Sequence, residues 1–298
     1  MSVDANVAPA RAGMRRNVRA ATLGFMAFAV FSGADVLVKL LAERFQVPQV
    51  TFMITIAALV LLSAYAGATG SIGSLLPRHP YLALMRALLL AVDTLLIHYA
   101  FSMLPLAEAY LLAFLTPLLV AILAFVLLGE RLSPLAWSGV MIGFTGVAIA
   151  LRPGIAPLNL GHAAAAASAL AFALSLVLLR RAKTSESDLA LVATLLVVLA
   201  TAAFGASMIG RGLEAATATD LLAAGAAGLL LLGGHFLLVR AFRVGDASVV
   251  APFQYSQIIW GGLYGALLFS APIELHTIIG ALVIVLSAWL VLKGKSWR

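Results

Sequence analysis

Apolar residues in this chain run in long stretches broken by short polar gaps. Ten stretches can be marked, at about 18–41, 48–67, 80–102, 107–128, 133–151, 160–180, 189–209, 220–242, 247–269 and 274–292. A bilayer core about 30 Å thick needs roughly 20 apolar residues per helix, so each stretch predicts one membrane-spanning helix. The breaks carry turn residues and charges: Pro48, Pro77 to Pro80, Pro105, Ser133-Pro134, Pro153 to Pro157, Thr184 to Asp188, Arg211 to Asp220, Gly245-Asp246 and Pro272. Chains leave helices at such residues. Most gaps are short, so neighbouring helices run antiparallel and no large soluble domain is expected.

Composition agrees. The chain has 298 residues, 63% hydrophobic and 10% charged, against about 45–50% and about 25% in soluble domains. Lipid must be the solvent for most of this surface. The absence of cysteine excludes disulfides and thiolate metal sites. The formal charge of +7 is not read as nucleic-acid binding, because the basic residues sit in the gaps. With the N-terminus in the cytoplasm, the inner segments hold 14 of them: Arg11, Arg15, Arg16, Arg19, Arg78, Arg131, Arg180, Arg181, Lys183, Arg240, Arg243, Lys293, Lys295 and Arg298. The outer segments hold 3: Arg44, Arg152 and Arg211. The bias predicts both termini cytoplasmic and an even helix number. The first apolar stretch is too long for a signal peptide, contains Asp35 and lacks a small-residue cleavage site. It is read as a retained helix after a cytoplasmic tail, 1–17, and a second tail covers 293–298.

The fourth and ninth stretches begin alike. Ala107-Glu108-Ala109 leads to Thr116-Pro117, and Gly245-Asp246-Ala247-Ser248 leads to Ala251-Pro252. Ala100-Phe101 precedes one and Ala241-Phe242 the other, and the helices after them contain Gly139 and Gly280. Ten helices then divide into five (18–151) plus five (152–292). Because five is odd, the second copy enters the membrane from the opposite side. The predicted fold is all-α, an inverted-topology repeat as found in many secondary transporters. The first half, from Arg86 through Tyr99-Ala100-Phe101, Leu104 to Ala109, Thr116-Pro117, Gly129-Glu130-Arg131 and Gly139 to Gly146, resembles the first EamA repeat of the drug/metabolite transporter superfamily. The second half resembles the second repeat but has Ala271 where the first has Glu130. The resemblance covers about 20–292 and implies a ten-helix basket with a central substrate cavity and alternating access. Within the superfamily the chain looks most similar to YddG-type aromatic amino-acid exporters.

Polar residues inside a membrane are costly and mark packing contacts or a wet cavity. In the first helix, Phe28, Ser32, Asp35 and Lys39 share a stripe. Asp35 with Lys39 reads either as an intrahelical ion pair, the lysine reaching for the surface, or as Asp35 holding a substrate amine or proton. Arg86 and Asp93 lie two turns apart on the third helix. Arg86 reads as structural and able to reach the cytoplasmic surface, and Asp93 as packing or cavity-facing. The fourth helix presents Tyr110, Phe114 and Pro117. The ninth presents Gln254, Gln257 and Tyr264 with Trp260 beside them, one turn beyond Pro252. These two helices are expected to face each other across the pseudo-axis, with Pro117 and Pro252 as helix breaks able to gate. Tyr99, His98 and His235 complete the candidate substrate-binding set. His162 reads as a hydrogen-bonded packing residue. Glycines 24, 33, 139, 143, 146, 225, 228 and 261 are expected to allow close helix approach.

No HExxH, Gly-x-Ser-Gly, Gly-x-Gly-Asp or Walker loop is present, so no enzyme is expected. No catalytic residue, metal or cofactor is assigned. A channel would usually need rings of charge or carbonyls from several chains. The chain therefore reads as a secondary exporter of small metabolites, amino acids and above all aromatic ones. Other solutes remain alternatives: a drug cation, an aliphatic amino acid or a nucleotide-linked metabolite. Its expected partners are the solute and the lipid bilayer, not nucleic acid, and it is expected to act as a monomer in the bacterial cytoplasmic (inner) membrane.

Overall fold

The computed structural model describes residues 4–128, 133–151, 157–182, 186–244, 250–270 and 274–295. Glu130, Arg131, Arg152, Lys183, Gly245 to Ser248, Ala271 and Arg298 lie outside them. Among the described residues all regular structure is helical. The helices are α1 (Asp4–Ala42), α2 (Val47–Ala68), α3 (Pro80–Met103), α4 (Leu106–Ala113), α5 (Leu115–Leu128) and α6 (Pro134–Leu151) in the first half. The second half has α7 (Leu160–Ala182), α8 (Asp188–Ile209), α9 (Ala218–Val244), α10 (Gln257–Phe269) and α11 (Leu275–Lys295). Seven segments, the broken span of α4 and α5 among them, are long and apolar enough to cross a membrane, and α10 and α11 add shorter apolar stretches. With α6 these make the ten transmembrane helices of the 5+5 repeat.

Two spans differ from continuous helices, each for a reason its proline supplies. The fourth breaks at Phe114, between α4 and α5. Pro117 has no N–H to offer the carbonyl of Ala113, and its ring collides with that carbonyl. In the ninth, Ala251–Ser256 is wound as a 3-10 helix before α10 takes over. Pro252, within that stretch, has no N–H to offer an earlier carbonyl. The helical backbone of α1 also reaches back to Asp4, well before the apolar stretch.

The packing repeats under the pseudo-twofold axis. α1 lies along α9 as α7 lies along α3, and α2 packs on α9 as α8 packs on α3. The equivalent helices α6 and α11 pack on each other, where Gly146 gives room: a Cβ there would stand 2.9 Å from Ile284 Cγ1 and 3.0 Å from the Gly280 carbonyl. The loops repeat too, on opposite membrane faces. On one face Gln46, the N-cap of α2, accepts from the Arg211 N–H (3.3 Å) and donates to the Ser207 and Gly212 carbonyls. Gln49 exchanges two bonds with the Glu214 backbone, at 2.7 and 3.0 Å. Arg44 there pairs with Asp220 at 2.7 Å. On the other face Glu186, just before α8, accepts from the backbone N–H groups of Arg78 (2.9 Å) and His79. Ser187 caps Ala190 N–H at 2.9 Å and donates to the Ser74 carbonyl at 2.6 Å. In each half, then, the residues entering the second helix clamp the loop after the second helix of the other half.

The second clamp is charged and Glu186 is buried at 1% exposure. Removing its carboxylate orphans two N–H groups, at about 1–3 kcal/mol for an unsatisfied buried partner. Glu186→Ala should lower the thermal unfolding midpoint in detergent, and Glu186→Gln should recover part of the loss. An unchanged midpoint in Glu186→Ala would show the clamp to be decorative.

Candidate functional site

A cavity lies between the halves at mid-membrane. The space open to water-sized molecules is about 120 Å³, room for several waters at roughly 10–15 Å³ each. Asp35 enters from α1 and Asp93 from α3. Tyr110 Oη donates to Asp35 Oδ2 at 2.6 Å, and Ser168 Oγ on α7 donates to Asp93 Oδ1 at 2.6 Å. Neither carboxylate meets a cation among the described residues, so each keeps an oxygen to offer a ligand. Gln254 and Gln257 also line the cavity, 6% and 8% exposed. Their carboxamides have no protein partner among the described residues. His235 lines the wall from α9, with its ring edge-on to Phe31 at 5.1 Å. His98 Nδ1 is 2.8 Å from Thr51 Oγ1. That hydroxyl already donates to the Val47 carbonyl at 3.0 Å, so Nδ1 carries the proton and Nε2 is left as an acceptor.

The structure thus brings Asp35, Asp93, His98, Tyr110, His235, Gln254 and Gln257 together around one space. It does not bring in the other four. Phe114 is fully buried in the core at the helix break, and Tyr99 packs half-buried on the same core. Trp260 turns to α1, its ring 5.9 Å from Phe25, and stacks on Tyr264 at 6.5 Å. Tyr264 packs against the core beyond the cavity. Pro117 stands beside the cavity-lining Thr116 but does not line the cavity itself, and Pro252 precedes the cavity-lining Gln254 by two residues. Phe28, on the stripe of Asp35, and Phe101 of the repeat motif supply flat apolar walls; residues that the sequence reading passed over also contribute, Phe31 and Phe172 as further walls and Thr94 and Ser168 as hydroxyls.

Two expectations are corrected. Asp35 and Lys39 form no ion pair. Lys39 Nζ donates to the Phe101 and Leu104 carbonyls, at 2.7 and 2.9 Å, and lies 5.5 Å from the centre of the Phe269 ring. It caps the carbonyl end of α3, where the helix dipole favours a cation, and leaves Asp35 to Tyr110. Arg86 does not reach the surface. It is 9% exposed and faces the protein interior. His162 is a packing residue as expected, with Nε2 3.0 Å from Glu108 Oε1, away from the cavity.

Residues 18–152 and 159–293 each match the model of the EamA-like transporter family. The chain belongs to that family. Among relatives of this EamA-like transporter is an S-adenosylmethionine uptake transporter of Rickettsia bellii, 25% identical over 258 residues. The match spans 85% of this chain and 86% of that one. A riboflavin transporter of Rhizobium johnstonii is 25% identical over 221 residues, covering 74% and 72%. A protein of known crystal structure superposes with a TM-score of 0.67 at 21% identity, over 94% of this chain and 98% of that one, a likeness of fold alone. The EamA-like protein is therefore a multi-pass membrane transporter of small solutes, not an enzyme.

Proposed function

We propose that this EamA-like transporter carries an amine-bearing solute with a flat ring, an aromatic amino acid in the first place, outward across a bacterial cytoplasmic membrane by alternating access. The observation that carries the reading is the pair of cation-free carboxylates, Asp35 and Asp93, in one cavity with two unengaged carboxamides and phenylalanine walls. Carboxylates recognise an ammonium group. The carboxamides offer both donors and acceptors to a zwitterion. The phenylalanines offer offset or edge contacts to a ring. Two repeats, 18–151 and 152–292, rock about this space, and the bias of basic residues puts both termini in the cytoplasm. A second reading is S-adenosylmethionine, whose ammonium, sulfonium and adenine ring would use both carboxylates. The Rickettsia relative favours it.

Proteoliposomes loaded with labelled phenylalanine, tryptophan or S-adenosylmethionine test the proposal. Saturable exchange of an aromatic amino acid, competed by its unlabelled form, is expected. Saturable exchange of S-adenosylmethionine alone selects the second reading, and flux that rises linearly with concentration for every solute overturns both. Accessibility labelling that finds the two termini on opposite membrane faces would overturn the orientation.

A further inference from the structure

Arg86 stands on the face of α3 that carries Leu90, Asp93, Ile97 and Phe101, at successive spacings of four, three, four and four residues. Such spacings keep side chains on one stripe. The four others line the cavity, and Arg86 lies one turn beyond them. It is 9% exposed, and its guanidinium has no hydrogen-bond or ion-pair partner among the described residues; Nε is a buried atom without one. A cation inside a membrane protein needs a partner, a wet cavity or a ligand, and the two nearby carboxylates are engaged with hydroxyls instead. Negative groups therefore occupy the middle and one end of the site, and an unclaimed positive group the other. Seven residues of helix separate Asp93 from Arg86, about 10 Å of axial rise, a gap that a long side chain and a small solute can close together.

We propose that Arg86 is the subsite for the solute's carboxylate, so that the transported molecule is held as a zwitterion between Asp93 and Arg86. The inference rests on the amine-bearing solute proposed above and adds the anionic half of its recognition. A guanidinium fork can give a carboxylate two parallel hydrogen bonds, which an ammonium cannot reproduce.

The test compares binding of phenylalanine and phenethylamine, which share ring and amine and differ by the carboxylate, to purified full-length protein. S-adenosylmethionine and its decarboxylated form make a second pair. Arg86→Gln should weaken the carboxylate-bearing member roughly tenfold to a hundredfold, the span of a charge-assisted hydrogen bond. It should leave the decarboxylated member unchanged, and Arg86→Lys should recover only part. The thermal midpoint of Arg86→Gln should match or exceed that of the wild type, because an unpaired buried charge is removed. Equal weakening of both members, or no change in either, overturns the subsite while the wild type still binds. A wild type that binds none of the four probes overturns the functional reading along with it.

Discussion

Asp35→Asn should cut transport of an amine-bearing solute roughly tenfold to a hundredfold, the loss of one charge-assisted hydrogen bond, while the protein accumulates and melts like the wild type. The asparagine carbonyl can still accept the Tyr110 hydroxyl that now reaches Asp35 Oδ2 at 2.6 Å. Volume and packing are therefore kept and only the charge is lost. Lys39→Met supplies the contrast. Lys39 serves the Phe101 and Leu104 carbonyls, so its removal should lower the melting point and leave the solute's KM near the wild-type value. Proteoliposome flux normalised to protein amount, set beside thermal unfolding, separates the two variants. If Asp35→Asn transports normally per molecule and melts early, Asp35 is a packing residue and the cation half of the site is wrong.

The ion-pair alternative for Asp35 and Lys39 shows what a sequence withholds. Four residues apart on one helix, an acid and a base look like partners, because local spacing is all that a linear pattern carries. The carbonyl end of α3, which takes the lysine, arrives from more than sixty residues away. Asp93, His98, His235, Gln254 and Gln257 were legible because polar atoms in a long apolar run must find a partner or water. Phe31 and Phe172 were not, since a phenylalanine facing the cavity reads like one facing lipid. Ser168 was hidden for a related reason: a serine can satisfy its own helix, so nothing in the sequence tells of its bond to Asp93. Tyr264 shares a stripe with Gln257, yet seven residues carry it about 10 Å along the axis, past the cavity and into the core. A stripe gives direction and not depth. The fold was more legible because inverted duplication states each helix twice, and Pro117 and Pro252 marked the two spans that depart from a continuous helix.

The packing of α2 against α9 depends on one missing side chain. A Cβ at Gly228 would stand 2.7 Å from the Ile54 carbonyl oxygen, 2.8 Å from the Ala58 nitrogen and 2.9 Å from Ala57 Cβ. Two of these are backbone atoms of α2 and cannot rotate aside, so the two helices would have to separate along their shared face. Gly143 is also crowded, but by the ends of Leu118 and Ser287, which can move. Gly228→Val is therefore expected to remove most folded protein from the membrane. Its cost is at or above the roughly 1–3 kcal/mol usual for overpacking, and Gly228→Ala should fall in between. Gly225, three residues earlier and also expected to allow close approach, has nothing within 4 Å of its Cβ position, so Gly225→Val is the matched control and should accumulate normally. The monodisperse fraction after solubilisation and the unfolding midpoint measure both. Equal behaviour of the two valine variants would mean that α9 does not rest on the α2 backbone, and the equivalence of this contact to that of α8 with α3 would fall with it. If they differ as expected, the contact that fixes the spacing of the halves is a rigid one, and any motion that admits a solute must come from other helices around the cavity, with the broken spans at Phe114 and Ala251–Ser256 the places where the backbone is already free to bend.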